Sequence, residues 1–171
     1  VLWRPHAKLH KSALIAHLLE HAGASGHCVQ KISEAEALAE GGIRNIFISN
    51  EIVAPTKLER VAKLAKALNA EGGRLAIAVD CEAGVSRLAQ ALQQAQAGDK
   101  AMDVLVEINV GQNRCGVEPG EAAVALAQAI AAQPSLRFGG LQAYHGGAQH
   151  LRTAAERKAA IDQVLKHVNR T

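Results

Sequence analysis

The sequence predicts an α/β fold built on a parallel sheet, and three observations carry that prediction. Short β-branched or apolar runs alternate with Ala- and Leu-rich amphipathic stretches along the whole chain, which is the βαβα pattern. A polar residue closes each run: Lys8, Gln30, Asn50, Asp80, Asn109 and Tyr144. These recur roughly every 20–35 residues, the span of one βα unit.

The predicted strands are Val1–Lys8, His27–Lys31, Asn45–Asn50, Arg74–Asp80, Asp103–Val110 and Phe138–His145. After the first, a helix is expected to pack through Leu14, Ile15, Leu18 and Leu19. Ser33 and Glu36 read as a capping box, and Gly41-Gly42 stops the helix they open. Pro55 begins the next helix, with Leu58, Val61, Ala62, Leu64, Ala65 and Leu68 at the 3.6-residue period and Gly72-Gly73 as its stop. Further helices are predicted over 82–97, 119–132 and 153–168, the last opened by a Thr153/Glu156 capping box.

In a (β/α)8 barrel the polar strand ends would share one mouth. In an open doubly wound sheet they would line a crevice. Neither G-x-G-x-x-G nor a P-loop follows any strand, which weighs against a nucleotide-binding sheet. Six strands are fewer than the eight that close a barrel. Residues 1–171 therefore read as a partial barrel domain, and the start at Val1, inside a predicted strand, suggests that a longer polypeptide is involved.

Composition narrows the partners. Nineteen Lys and Arg against sixteen Asp and Glu give +3, too balanced to propose nucleic acid or membrane. Aromatic residues make up 2% of the chain, so base-stacking platforms are not expected either. Cys28, Cys81 and Cys115 are far apart, which implies neither disulfide framework nor zinc knuckle and suits a reducing cytoplasm. No run approaches the ~18 apolar residues of a membrane span.

The segment RPHAKLHKS, residues 4–12, gathers bases around Lys8. A lysine at a strand end, crowded by other cations, can have its pKa lowered enough to form a Schiff base. Spacing alone leaves a solvated lysine as the alternative. Position also marks Gln30 and Tyr144 at strand ends, Arg114 in the loop after a strand, and His145 and His150 as nearby bases. Arg4, His6 and Lys8 fall on one strand face.

RPHAKLHKS resembles the lysine strand of D-threonine aldolases and their relatives, a pyridoxal-phosphate family with an alanine-racemase-like barrel. CVQKISEAE (28–36), IFISNEIV (46–53), VLVEINVGQNRCGV (104–117) and GLQAYHGGAQHLR (140–152) resemble the same family, in the family's order. Leu9 is a departure, because family members commonly carry a small or polar residue there.

The resemblance implies a (β/α)8 TIM-type barrel of the alanine racemase N-terminal kind, with six of its eight strands in this chain. The first and last strands, the glycine-rich phosphate loop and a C-terminal β domain carrying the metal ligands would lie outside it, leaving no metal ligand among these residues. Lys8 would carry pyridoxal 5'-phosphate as a Schiff base. Gln30 would hydrogen-bond the cofactor's oxygens, and Arg114 would pair with its phenolic oxygen or with a substrate carboxylate. Tyr144 would pack on the pyridine, and His6 would support the lysine strand. His150, with His145 as second candidate, would take the substrate's β-hydroxyl proton.

The implied activity is a lyase that cleaves the Cα–Cβ bond of a D-3-hydroxy amino acid, D-threonine or D-3-hydroxyaspartate, to glycine and an aldehyde. A divalent metal, Mn, Mg or Zn, would assist, and the full-length enzyme would be a homodimer. Alternatives are a D-serine or D-3-hydroxyaspartate dehydratase on the same barrel and a non-catalytic pyridoxal-phosphate carrier. HLLEH (17–21) matches the zinc-gripping H-x-x-E-H pattern, but its place on a helix packed by leucines assigns the histidines to the flank or surface.

Overall fold

Five parallel strands stand side by side in the order in which the chain makes them, in a computed structural model that describes residues 1–171. They are β1 (His27–Val29), β2 (Asn45–Ile48), β3 (Arg74–Val79), β4 (Met102–Glu107) and β5 (Leu136–Gln142). Helices α1 (Ala13–His21), α2 (Ile32–Glu40), α3 (Pro55–Ala70), α4 (Glu82–Gln94), α5 (Glu121–Ala131) and α6 (Ala154–Arg170) alternate with them. A short 3₁₀ turn, Gly146–His150, precedes α6. Sequential order with right-handed crossovers puts the helices on one side of the sheet. Consecutive helices α1 to α5 accordingly pack neighbour on neighbour, as in an arc of a (β/α) barrel.

The pleat sorts side chains between two faces with period two. Ile46 and Ile48 of β2, Leu75 and Ile77 of β3 and Val104 and Val106 of β4 are buried in the main core. Leu58, Val61, Ala62, Ala65 and Leu68 of α3 and Val85, Leu88 and Leu92 of α4 meet them from the helix layer. The alternate positions, among them Cys28, Phe47, Ala76, Leu105 and Glu107, point to the concave face. Register pairs Cys28 with Phe47 and Glu107 with Gln142.

Three expectations need correction. The segment 1–8 is not a strand: His6 alone forms a bridge, to Cys28, and Pro5 contributes no N–H with which to extend a ladder. The segment still runs along β1, with Ser25, Cys28 and Ala7 donating to the carbonyls of Trp3, Pro5 and Cys28. The sheet therefore has five strands rather than six. Secondly, α2 begins at Ile32 with Lys31 as N-cap. Glu34 accepts from the backbone N–H groups of Gln30 and Lys31 at 2.8 and 3.2 Å, whereas Glu36 pairs with Arg60 on α3.

Thirdly, the apolar face of α1 is not buried. Leu14 is 72% exposed and Leu18 62%, while Ala16 is the fully buried residue of this helix. With neighbours on one flank only, α1 meets α2 through small side chains and turns its larger ones outward. Its histidines are engaged by the backbone: His17 Nε2 lies 2.8 Å from the Gly41 carbonyl, and His21 Nδ1 2.8 Å from that of His17. The Thr153/Glu156 capping box on α6 is as expected.

Candidate active site

A cavity of about 310 Å³ opens where the strands end, lined by Arg4, His6, Lys8, Cys28, Gln30, Phe47, Ser49, Arg114, Gln142, Ala143 and Tyr144. Five predicted site residues, Lys8, His6, Gln30, Arg114 and Tyr144, meet here. The volume lies at the lower end of the ~300–1,000 Å³ usual for small-molecule sites. Arg4, Lys8 and Arg114 contribute cations and no lining residue is a carboxylate, so the cavity favours an anion.

Lys8 sits in the turn that follows the His6 bridge. Its backbone N–H donates to His6 Nδ1 at 3.2 Å, which requires the neutral ring to carry its proton on Nε2. That nitrogen lies 3.1 Å from Ser49 Oγ, whose hydroxyl donates to the Val29 carbonyl at 3.2 Å. Burial, and then the Lys8 charge, push the His6 pKa below its ordinary value, in keeping with this neutral form. His6 thus braces the Lys8 turn, and its own ring is held by Ser49, just beyond β2, which bonds in turn to β1. Gln30 is fixed through its backbone by Glu34.

Arg114 rides on the loop between β4 and α5. The loop closes on itself: Asn109 donates to the Val117 carbonyl at 2.8 Å and Val117 to that of Glu107 at 2.9 Å. Asn109 Oδ1 accepts from Gly111 and Asn113. Gly116 has φ +101, and a Cβ there would stand 2.7 Å from the backbone of Ile108 and Asn109, so only glycine fits. The Arg114 guanidinium lies 5.1 Å from the centroid of the Tyr144 ring, a cation–π distance.

Glu107, at the end of β4, escaped the sequence reading. It is 3% exposed, and its carboxylate accepts from Gln142 Nε2 while its other oxygen lies 3.6 Å from Arg114 Nη2. Burial, followed by hydrogen bonding to Glu51 and its charge, raises the Glu107 pKa to about 7.

His145 and His150 stand outside the cavity lining. His150 is exposed at the end of the 3₁₀ turn, and His145 is half-buried at its start. The turn is tied to the Arg114 loop by Gly146, which donates to Gln112 Oε1. Ligand atoms of Glu51, Asp80 and Cys115 lie within 4.8 Å of one another, but Asp80 already accepts from Gly116 N–H and the Arg114 guanidinium neighbours both Glu51 and Cys115.

Comparison with known proteins agrees with this fold. The model for "Alanine racemase, N-terminal domain" matches residues 5–171. Over 166 residues the chain is 41% identical to a 3-hydroxy-D-aspartate aldolase of Paracoccus denitrificans (strain Pd 1222), covering 96% of this chain and 41% of that protein. It is 43% identical over 166 residues to a D-threonine aldolase of an Arthrobacter species, covering 97% and 42%. The crystal structure of D-threonine aldolase from Filomicrobium marinum superposes with a TM-score of 0.92 at 47% identity, over 100% of this chain and 44% of that one. The chain thus spans about two fifths of the length of these curated relatives. It belongs to the alanine racemase N-terminal domain family.

Proposed function

We propose that this chain is the cofactor-bearing barrel portion of a pyridoxal-phosphate lyase that cleaves the Cα–Cβ bond of a D-3-hydroxy amino acid to glycine and an aldehyde. The observation that carries the reading is the cavity: a lysine, two arginines, two neutral amides and the rings of Phe47 and Tyr144 around a space without a carboxylate. The similarity to a D-threonine aldolase and a 3-hydroxy-D-aspartate aldolase supports the substrate class.

The residues present fit the ring and aldehyde end of the cofactor. Lys8 would be the covalent attachment point, Gln30 would hydrogen-bond an oxygen, Arg114 would donate to the phenolic oxygen or a substrate carboxylate, and Tyr144 would pack on the ring. His6 holds the Lys8 turn. When bound, the cofactor supplies an electron sink for the carbanion left by bond cleavage. His150 receives the β-hydroxyl proton of the substrate on its imidazole, with His145 as the second candidate. The phosphate loop and the ligands for a divalent metal (Mn, Mg or Zn) belong to other parts of the polypeptide, which works as a cytoplasmic homodimer.

The test is an absorbance scan of the full-length protein with pyridoxal phosphate, followed by D-threonine, D-3-hydroxyaspartate and D-serine in turn. Glycine plus aldehyde is the expected outcome. Ammonia and a keto acid would make the protein a dehydratase, and cofactor binding without turnover would make it a carrier.

A further inference from the structure

Two charged groups of opposite sign meet at the rim of the cavity in very different settings. Arg114 is on a loop and partly exposed, whereas Glu107 is almost wholly buried in the last position of β4. A buried carboxylate without partners is costly by several kcal/mol, so its surroundings matter. Gln142, its register partner on β5, donates to one oxygen. Arg114 Nη2 stands 3.6 Å from the other.

Glu51, in the segment after β2, presents a buried oxygen, Oε1, that has no hydrogen-bond partner. It faces the same group. A single proton held between Glu51 and Glu107 would satisfy that oxygen and leave one net charge to oppose Arg114. Cys115, Asp80 and Gly116 complete the shell: Asp80 accepts from Gly116, and the Cys115 thiol contacts the guanidinium.

We propose that Glu107 is a positioning residue for the cavity, holding the Arg114 guanidinium against the Tyr144 ring so that its free N–H groups face the cavity. The geometry gives each partner a reason. An arginine on a loop has many rotamers, and a ligand that had to freeze them would bind more weakly by that entropy. The Tyr144 face fixes the plane of the guanidinium, and a rigid strand carboxylate fixes its in-plane direction. Gln142 in turn locks the carboxylate rotamer. The chain of contacts Gln142–Glu107–Arg114–Tyr144 returns to the cavity, because Gln142, Arg114 and Tyr144 all line it.

The role of Arg114 toward the cofactor rests on the proposed function; its positioning by Glu107 does not, and the experiment separates the two. In cofactor-free full-length protein, labelling of Arg114 by phenylglyoxal is followed by peptide mass spectrometry for the parent, Glu107→Gln and Glu107→Asp. Several-fold faster labelling in Glu107→Gln, with the melting curve retained and partial rescue by Glu107→Asp, is expected. Equal labelling rates in all three would overturn the proposal.

The second arm is a double-mutant cycle on the dissociation constant for pyridoxal phosphate. Glu107→Gln should weaken binding about fivefold to tenfold in the parent and very little in an Arg114→Lys background, the non-additivity of residues that act together. Additive losses would overturn the positioning role even if labelling changed. If neither parent nor variants take up pyridoxal phosphate, the functional reading falls while the labelling result still decides the role of Glu107. Should Glu107→Gln fail to fold, Glu107→Asp carries both arms, with a smaller change in the same direction.

Discussion

The main-chain N–H of Lys8 donates to Nδ1 of His6 across 3.2 Å, and Nε2 of that ring lies 3.1 Å from Ser49 just beyond β2. The lysine at the cavity is therefore carried by a turn with a built-in brace, while its side chain stays free. Lys8→Ala is expected to abolish the absorbance band of the lysine-bound cofactor and to leave the melting curve unchanged. Borohydride reduction and peptide mapping check the site. The nearest rival, Lys11, pairs with Glu34 at 3.6 Å and does not line the cavity.

His6→Leu removes the acceptor for Lys8 and should cost about 1 kcal/mol of stability, the usual contribution of a hydrogen bond. Cofactor affinity should fall with it. Because burial and Lys8 hold the His6 pKa below the ordinary 6.5, its contribution is complete above pH 6.5. It is lost as pH falls through the folded value. Urea titrations between about pH 5 and pH 8 should show a shallower acid limb in the variant.

His27 is fully buried under α1, where its ring makes only a weak contact with the Ala16 backbone and no hydrogen bond of good geometry. The closest charge is Glu20 Oε1 at 3.9 Å. Burial lowers its pKa, against the opposing pull of Glu20 and of the Ala16 backbone, so this ring too resists protonation and adds to acid sensitivity below pH 6.5. His27→Leu should raise stability by about 1 kcal/mol, since replacing an unpaired polar group by an apolar one removes a desolvation cost. A fall in the urea midpoint would mean that the ring makes a polar contact that matters.

Glu107 acts in the opposite sense. Its folded pKa of about 7 stands above the ordinary 4.5, so the native state holds a proton that the unfolded chain has released. The stability it contributes is complete below pH 4.5 and declines as pH rises through about 7. In Glu107→Gln that decline should disappear from the stability–pH curve.

Gly116→Ala tests the loop itself. At φ +101, with backbone atoms 2.7 Å from any Cβ, the substitution should cost roughly 2–3 kcal/mol. The Arg114 loop should loosen with it, visible as faster amide exchange over residues 108–117.

Period and punctuation made much of the fold legible. The Pro55 start and the 3.6-residue spacing of α3 match Pro55–Ala70 with its buried Leu58, Val61, Ala62, Ala65 and Leu68. Pattern misled where it lacked tertiary context. RPHAK reads as a strand, yet Pro5 and a following turn limit it to one bridge; the leucines of α1 read as a core face, yet no helix covers them. Around the cavity, Gln30, Arg114 and Tyr144 stood out in the sequence because each follows a strand, and Lys8 because of the bases gathered around it. Glu107 and Ser49 did not, since their importance comes from partners 35 and 43 residues away, a distance that no local pattern spans.

The sequential strand order also bears on how the molecule forms. Every sheet contact joins strands made one after the other, with partners roughly 20–35 residues apart. Closure entropy grows only logarithmically with loop length, about 0.6 kcal/mol per doubling, so each strand docks at nearly the same cost as the one before. No late strand has to insert between two early ones. The sheet can grow in the direction of synthesis, each βα unit settling on a finished edge as it leaves the ribosome.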